Sequence, residues 1–63
     1  MRKIKTGDLV RMRAYHTGLV GLVVDVHPSE LHKSAQIGIT WLQKPGKVEW
    51  EPEAWLEVVS EGR

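Results

Sequence analysis

Apolar and polar residues take turns along most of this chain, and nowhere do they recur at the spacing of an amphipathic helix. From Leu9 to Ala14 the alternation is strict: Val10, Met12 and Ala14 share one face, and Leu9, Arg11 and Arg13 share the other. That pattern predicts a half-buried strand. Thr6-Gly7-Asp8 is a turn signal before it, and Tyr15-His16-Thr17-Gly18 reads as a short loop after it. Leu19 to His27 is a second strand, rich in β-branched Val20, Val23, Val24 and Val26. Its alternation is imperfect, and Gly21 inside it predicts a bulge or sharp bend. Pro28 stops the strand, and Pro28 to Ser34 forms a loop in which Ser29 can cap a single helical turn through Lys33.

Ala35 to Leu42 is a third strand, with Ile37, Ile39 and Trp41 on one face. Gln43-Lys44-Pro45-Gly46 predicts a tight hairpin. In the fourth strand, Lys47 to Glu51, Val48 and Trp50 face one way and the three charges face the other. Pro52-Glu53-Ala54 has room for one helical turn, with Pro52 in its first position. Leu56 to Val59 is the fifth strand, and Ser60 to Arg63 reads as a frayed tail.

The expected fold class is therefore all-β: a five-stranded, strongly bent barrel with one short helical turn before the last strand. The 63 residues make one domain, with its core at about residues 7–59. A domain this small buries only about 60% of the surface of its unfolded chain. With no cysteines, neither disulfides nor a Cys-based zinc site can reinforce it. Barrel closure, tight turns and oligomerisation with further copies are the supports that remain. The longest apolar stretch, Leu19 to Val24, is interrupted by Gly21 and far too short to cross a bilayer. No signal-peptide apolar region follows the basic start, so a soluble, cytoplasmic protein without membrane partners is expected.

Gly7-Asp8-Leu9-Val10-Arg11-Met12, followed by Gly18-Leu19-Val20-Gly21-Leu22-Val23-Val24-Asp25-Val26, resembles the KOW pattern of ribosomal proteins and NusG-type transcription factors. The resemblance implies an SH3-like barrel with Gly21 at the bend and Val23 and Val26 inward. The run Pro52 to Val59 looks like the close of such a barrel, where a helical turn delivers an aromatic residue and then the last strand. Ile39-Thr40-Trp41, Val48-Glu49-Trp50 and Leu56-Glu57-Val58-Val59 also resemble segments of small single-domain proteins encoded by tailed phages. That second resemblance implies a virion component or a phage accessory factor, located in the host cytoplasm or the particle.

Net charge is +1, but it is unevenly spread. Residues 1–20 carry Arg2, Lys3, Lys5, Arg11 and Arg13 against Asp8, a net of +4. Residues 45–63 carry Lys47 and Arg63 against Glu49, Glu51, Glu53, Glu57 and Glu61, a net of −3. In a small barrel the two halves meet and neutralise each other through cross-strand pairs. Held apart, the five basic residues would instead form a nucleic-acid patch.

Catalytic and metal chemistry find little footing in the sequence. His16 and His27 are about ten residues apart, roughly 30 Å of straight strand, and His27 with His32 supplies only two ligands. Glu49, Glu51 and Glu53 read as a solvated acidic face, because acid–base catalysis needs a concave pocket that so small a barrel has little room for. There is no Ser-His-Asp arrangement, no phosphate-cradling glycine loop and no thiol. An enzyme, a cofactor and a metal are all unexpected.

Tryptophans are the most informative side chains that remain. Trp41 and Trp50 are expected to fill the core or cap the barrel ends. Trp55 precedes core-like Leu56, and neighbours in a strand point to opposite sides, so Trp55 is at least partly outside. It either packs on its own barrel or contacts a partner. The candidate partner-binding residues are Tyr15, His16, Trp50 and Trp55. The expected function is a non-catalytic protein–protein interaction module or assembly component of a phage particle. The alternative is a KOW-type RNA- or DNA-binding protein of transcription or translation, using Arg2, Lys3, Lys5, Arg11 and Arg13. It ranks second because Ala14-Tyr15-His16-Thr17 lacks the lysines of RNA-contacting KOW loops.

Overall fold

The computed structural model describes residues 3–14, 19–30 and 34–60. Five strands, β1 (Leu9–Met12), β2 (Gly21–His27), β3 (Gln36–Trp41), β4 (Val48–Pro52) and β5 (Leu56–Ser60), form one antiparallel sheet in the order β4-β3-β2-β1-β5. A 3₁₀ turn, Glu53–Trp55, leads into β5. β1 to β4 follow one another as a meander, and the chain then returns to lay β5 on the free side of β1. Among the described residues no pairing joins β4 to β5, so the sheet has two edges and is not a closed barrel.

One face of the sheet builds the core. Val10, Val23, Ile37, Ile39, Trp41 and Leu56 are buried there together, and Val10, Ile37 and Ile39 have no accessible surface. Among the described residues no second layer covers that face, so the sheet must curl over its own inner side to hide these residues. Alternation placed Val10, Ile37, Ile39 and Trp41 correctly, and Val23 and Val26 also point to the core. Ile4 joins the same cluster, so the core reaches beyond the stretch that begins at Gly7.

A type II turn sets up β1. The Asp8 amide donates to the Lys5 carbonyl at 3.1 Å, and Gly7 takes φ 97°, the left-handed value that this turn demands of its third residue. The Asp8 side chain is fully buried, and its Oδ2 accepts from the Lys5 amide at 3.0 Å. Backbone bonds Gly7 N–H to Val23 O and Val23 N–H to Asp8 O then fasten the turn to β2.

Several local expectations are corrected. The bulge in β2 lies between Val23 and Asp25, not at Gly21. Gly21 serves close packing instead: a Cβ there would collide with Cγ2 of Ile39 and stand 2.8 Å from Cε3 of Trp41. The β3–β4 connection spans residues 42–47 and is wider than a tight hairpin, although Gly46 does supply a positive φ of 88°. Pro52 is extended (φ −62°, ψ 139°), so it ends β4, and the 3₁₀ turn begins one residue later. Ser60 belongs to β5 rather than to a tail. The proposed turn from Ser29 to Lys33 falls partly outside the described residues.

β4 is inverted relative to expectation. In its register Ile37 lies opposite Glu51, Gly38 opposite Trp50, and Ile39 opposite Glu49. Directly paired residues share a face. Glu49 and Glu51 therefore lie on the inner side, half-buried, while Val48 and Trp50 lie on the outer side, exposed. The neighbouring strand decides the matter: Ile37, Ile39 and Trp41 claim the inner face of β3, and β4 must follow its parity. Inward-pointing charge on an edge strand also discourages edge-to-edge association.

Candidate partner-binding site

Trp55 closes the 3₁₀ turn and is 56% exposed, while the adjacent Leu56 is 1% exposed. Trp55 is outside and Leu56 inside as expected, although Trp55 belongs to the 3₁₀ turn and not to the strand, so strand parity is not the reason. Three backbone bonds fix the turn: Glu53 N–H to Ala35 O at 2.9 Å, Arg13 N–H to Trp55 O at 2.8 Å, and Leu56 N–H to Glu53 O. An exposed indole thus projects from a backbone held on both sides. Beside it runs a depression of about 300 Å³ lined by Met12, Arg13, Ala14, Ala54 and Trp55. It adjoins a larger groove of about 580 Å³ along β5, whose walls include Lys3, Ile4, Arg13, Glu53, Leu56 and Val58. Arg13 and Ala54 belong to both. A cleft of this size was not expected from so short a chain. Its lining comes from the segment before β1, the 3₁₀ turn and β5.

Trp50 stands on the outer face instead, 43% exposed. Its ring lies over Gly38, close enough that a Cβ there would come within 3.0–3.2 Å of it. On its other side it meets the His27 ring at 4.6 Å between centroids, tilted by 47°. Trp50 neither fills the core nor caps an end of the barrel. His27 is exposed and lies 3.8 Å from Asp25, as a surface histidine. Tyr15, His16 and His32 lie outside the described residues. Among the described residues no three metal-ligating side chains come together.

The basic residues among the described residues differ in their partners. Lys5 Nζ lies 3.3 Å from Asp8 Oδ1, and Arg11 Nε lies 3.3 Å from Oε1 of Glu57, its cross-strand neighbour. The Arg11 contact is an ion pair without a directed hydrogen bond, since its Nε–H finds no aligned acceptor. Arg13 Nε donates to the Leu56 carbonyl at 3.0 Å. Lys3 is exposed on the groove wall, and Arg2 lies outside the described residues. Neutralisation between the two halves of the chain is therefore realised at Arg11–Glu57, while Lys3 and Arg13 make no ion pair among the described residues.

The groove's apolar floor escaped the sequence reading. Ile4 sits in a basic segment and Ala54 in an acidic one, and neither is part of an alternating run. A lone apolar residue between Lys3 and Lys5 is the signal that was available. Comparison of the chain with protein-family models, with curated proteins and with solved structures finds no match. The site is therefore judged on its own geometry. Among the described residues no helix is long and apolar enough to cross a membrane.

Proposed function

We propose that this chain is a non-catalytic binding module of SH3-like, KOW-like architecture that docks a protein partner at the Trp55 groove. The strand order β4-β3-β2-β1-β5 and the 3₁₀ turn ahead of β5 support the architectural part of the reading. The functional part rests on one observation: Trp55, exposed on a rigid turn beside an apolar groove. Tryptophan is enriched where interfaces concentrate their energy, and a pre-fixed backbone lowers the entropy lost on docking. The resemblance to small tailed-phage proteins makes a phage particle or its accessory machinery the proposed setting. The test is Trp55→Ala in the producing virus or cell. The variant is expected to remain folded and to stop co-purifying with its assembly. A variant that unfolds, or one that still co-purifies, overturns the reading.

A nucleic-acid role is the second reading, favoured by the position of Arg13 beside an exposed indole on which a base can stack, with Lys3 on the adjoining groove. It predicts binding to single-stranded RNA or DNA that weakens steeply with salt. A titration at low salt without binding removes it.

A further inference from the structure

The charges around the groove are not equivalent. Of its two carboxylates, Glu57 is ion-paired with Arg11 at 3.3 Å, while Glu53 Oε2 accepts from the Ile4 amide at 3.4 Å, a bond that holds the side chain but leaves its charge. Neither Lys3 nor Arg13 has a carboxylate partner among the described residues. The bond from Arg13 Nε to the Leu56 carbonyl anchors the guanidinium at the groove without neutralising it. Such anchoring leaves less side-chain freedom to lose when a ligand arrives. The apolar lining of the groove includes Ile4, Ala54, Leu56 and Val58, and Trp55 lines the adjoining depression that shares Arg13 and Ala54 with it.

We propose that the groove takes an extended acidic peptide segment of the partner protein, with an apolar side chain against Trp55 and a carboxylate at Arg13 and Lys3. The inference rests on the binding-module reading and adds the chemistry of the partner. An apolar floor with two unneutralised cations is complementary to a segment that mixes apolar and acidic side chains. A guanidinium also binds a carboxylate with directed, charge-assisted hydrogen bonds. A nucleic-acid strand fits less well: a peptide can bring a single carboxylate to Arg13 and Lys3, whereas the evenly spaced phosphates of a strand would also set charge against Glu53 and Glu57 on the same groove.

An array of short synthetic peptides, varied in charge and apolar content and accompanied by oligo-dT, tests this. It is probed with the full chain, with Trp55→Ala, with the double variant Lys3→Gln/Arg13→Gln, and with Lys44→Gln/Lys47→Gln as a charge-matched control. Circular dichroism first establishes that each is folded. The expected result is selection of peptides that combine a carboxylate with an aromatic or aliphatic residue. The Lys3/Arg13 variant should bind them about tenfold more weakly, the loss of one charge-assisted contact, and the control should bind like wild type. If binding depends on Trp55 but shows no acidic preference, or if the control falls equally, the acidic partner is wrong and the binding module stands. If peptides bind Trp55→Ala as well as wild type, the module reading at this groove fails too. Preference for oligo-dT, or no peptide binding at all, also overturns the inference.

Discussion

Two tryptophans stand exposed on this small sheet to a similar degree, and their surroundings differ. Trp50 is on the outer face, packs over Gly38 and meets the His27 ring. Much of its surface is already used to shield backbone and to hold its own strand. Trp55 projects from a turn that is fastened by backbone hydrogen bonds, next to a groove with an apolar lining and two cations that have no carboxylate partner among the described residues. Exposure alone therefore does not distinguish a binding residue. What matters is whether the ring is needed by its own fold and whether the chemistry around it is left unsatisfied.

Four measurements break or sharpen this contrast, and the largest concerns the residue that anchors Trp55. Leu56 is fully buried in the common core, so Leu56→Ala should cost about 2–5 kcal/mol in urea unfolding, enough to unfold much of so small a domain. A loss under about 1 kcal/mol would show that the turn does not depend on the core. Trp50→Ala should cost about 1–2 kcal/mol, because about half of the ring's surface is covered by its own sheet. An unchanged midpoint would place Trp50 on the same footing as Trp55.

Trp55→Ala is expected to change stability by less than about 1 kcal/mol while abolishing partner binding. A loss equal to that of Trp50→Ala would dissolve the contrast between the two rings. The smallest effect belongs to the Arg11–Glu57 pair on the β1–β5 seam. A double-mutant cycle to alanine should give a coupling of about 0.2–0.5 kcal/mol that fades at high salt, since both side chains are substantially exposed. A coupling several times larger would mean that the seam is held by charge more than by Val10, Leu56 and their neighbours.

Most of the inner face was legible in the sequence, because alternation is a direct record of burial wherever one side of a strand is plainly apolar. Val10, Ile37, Ile39 and Trp41 are of this kind. β4 defeated the same rule. Val48 and Trp50 alternate with carboxylates as cleanly as any core strand, yet they face outward. An edge strand takes its parity from its one neighbour, and its own pattern has no casting vote. The role of Gly21 was misread for a related reason. A glycine in a strand announces either a bulge or a close approach, and only the positions of Ile39 and Trp41 show that it is the latter.

The groove belongs to a different category. Lys3, Ile4, Arg13 and Ala54 are scattered over fifty positions of chain, and no spacing rule links them. Arg13 was grouped with the other basic residues by composition, and only the fold separates it from Lys5 and Arg11, which are neutralised by Asp8 and Glu57.

By itself, the sequence determined that this chain is all-β and that Val10, Ile37, Ile39 and Trp41 meet in the core. Those properties follow from the two-residue period of a strand and from the cost of leaving apolar surface in water, both of which act locally. Which cations stay unpaired, which way the edge strand faces and where the groove opens were decided by tertiary structure alone. Each depends on contacts between segments far apart in the chain, and no local pattern carries information about them.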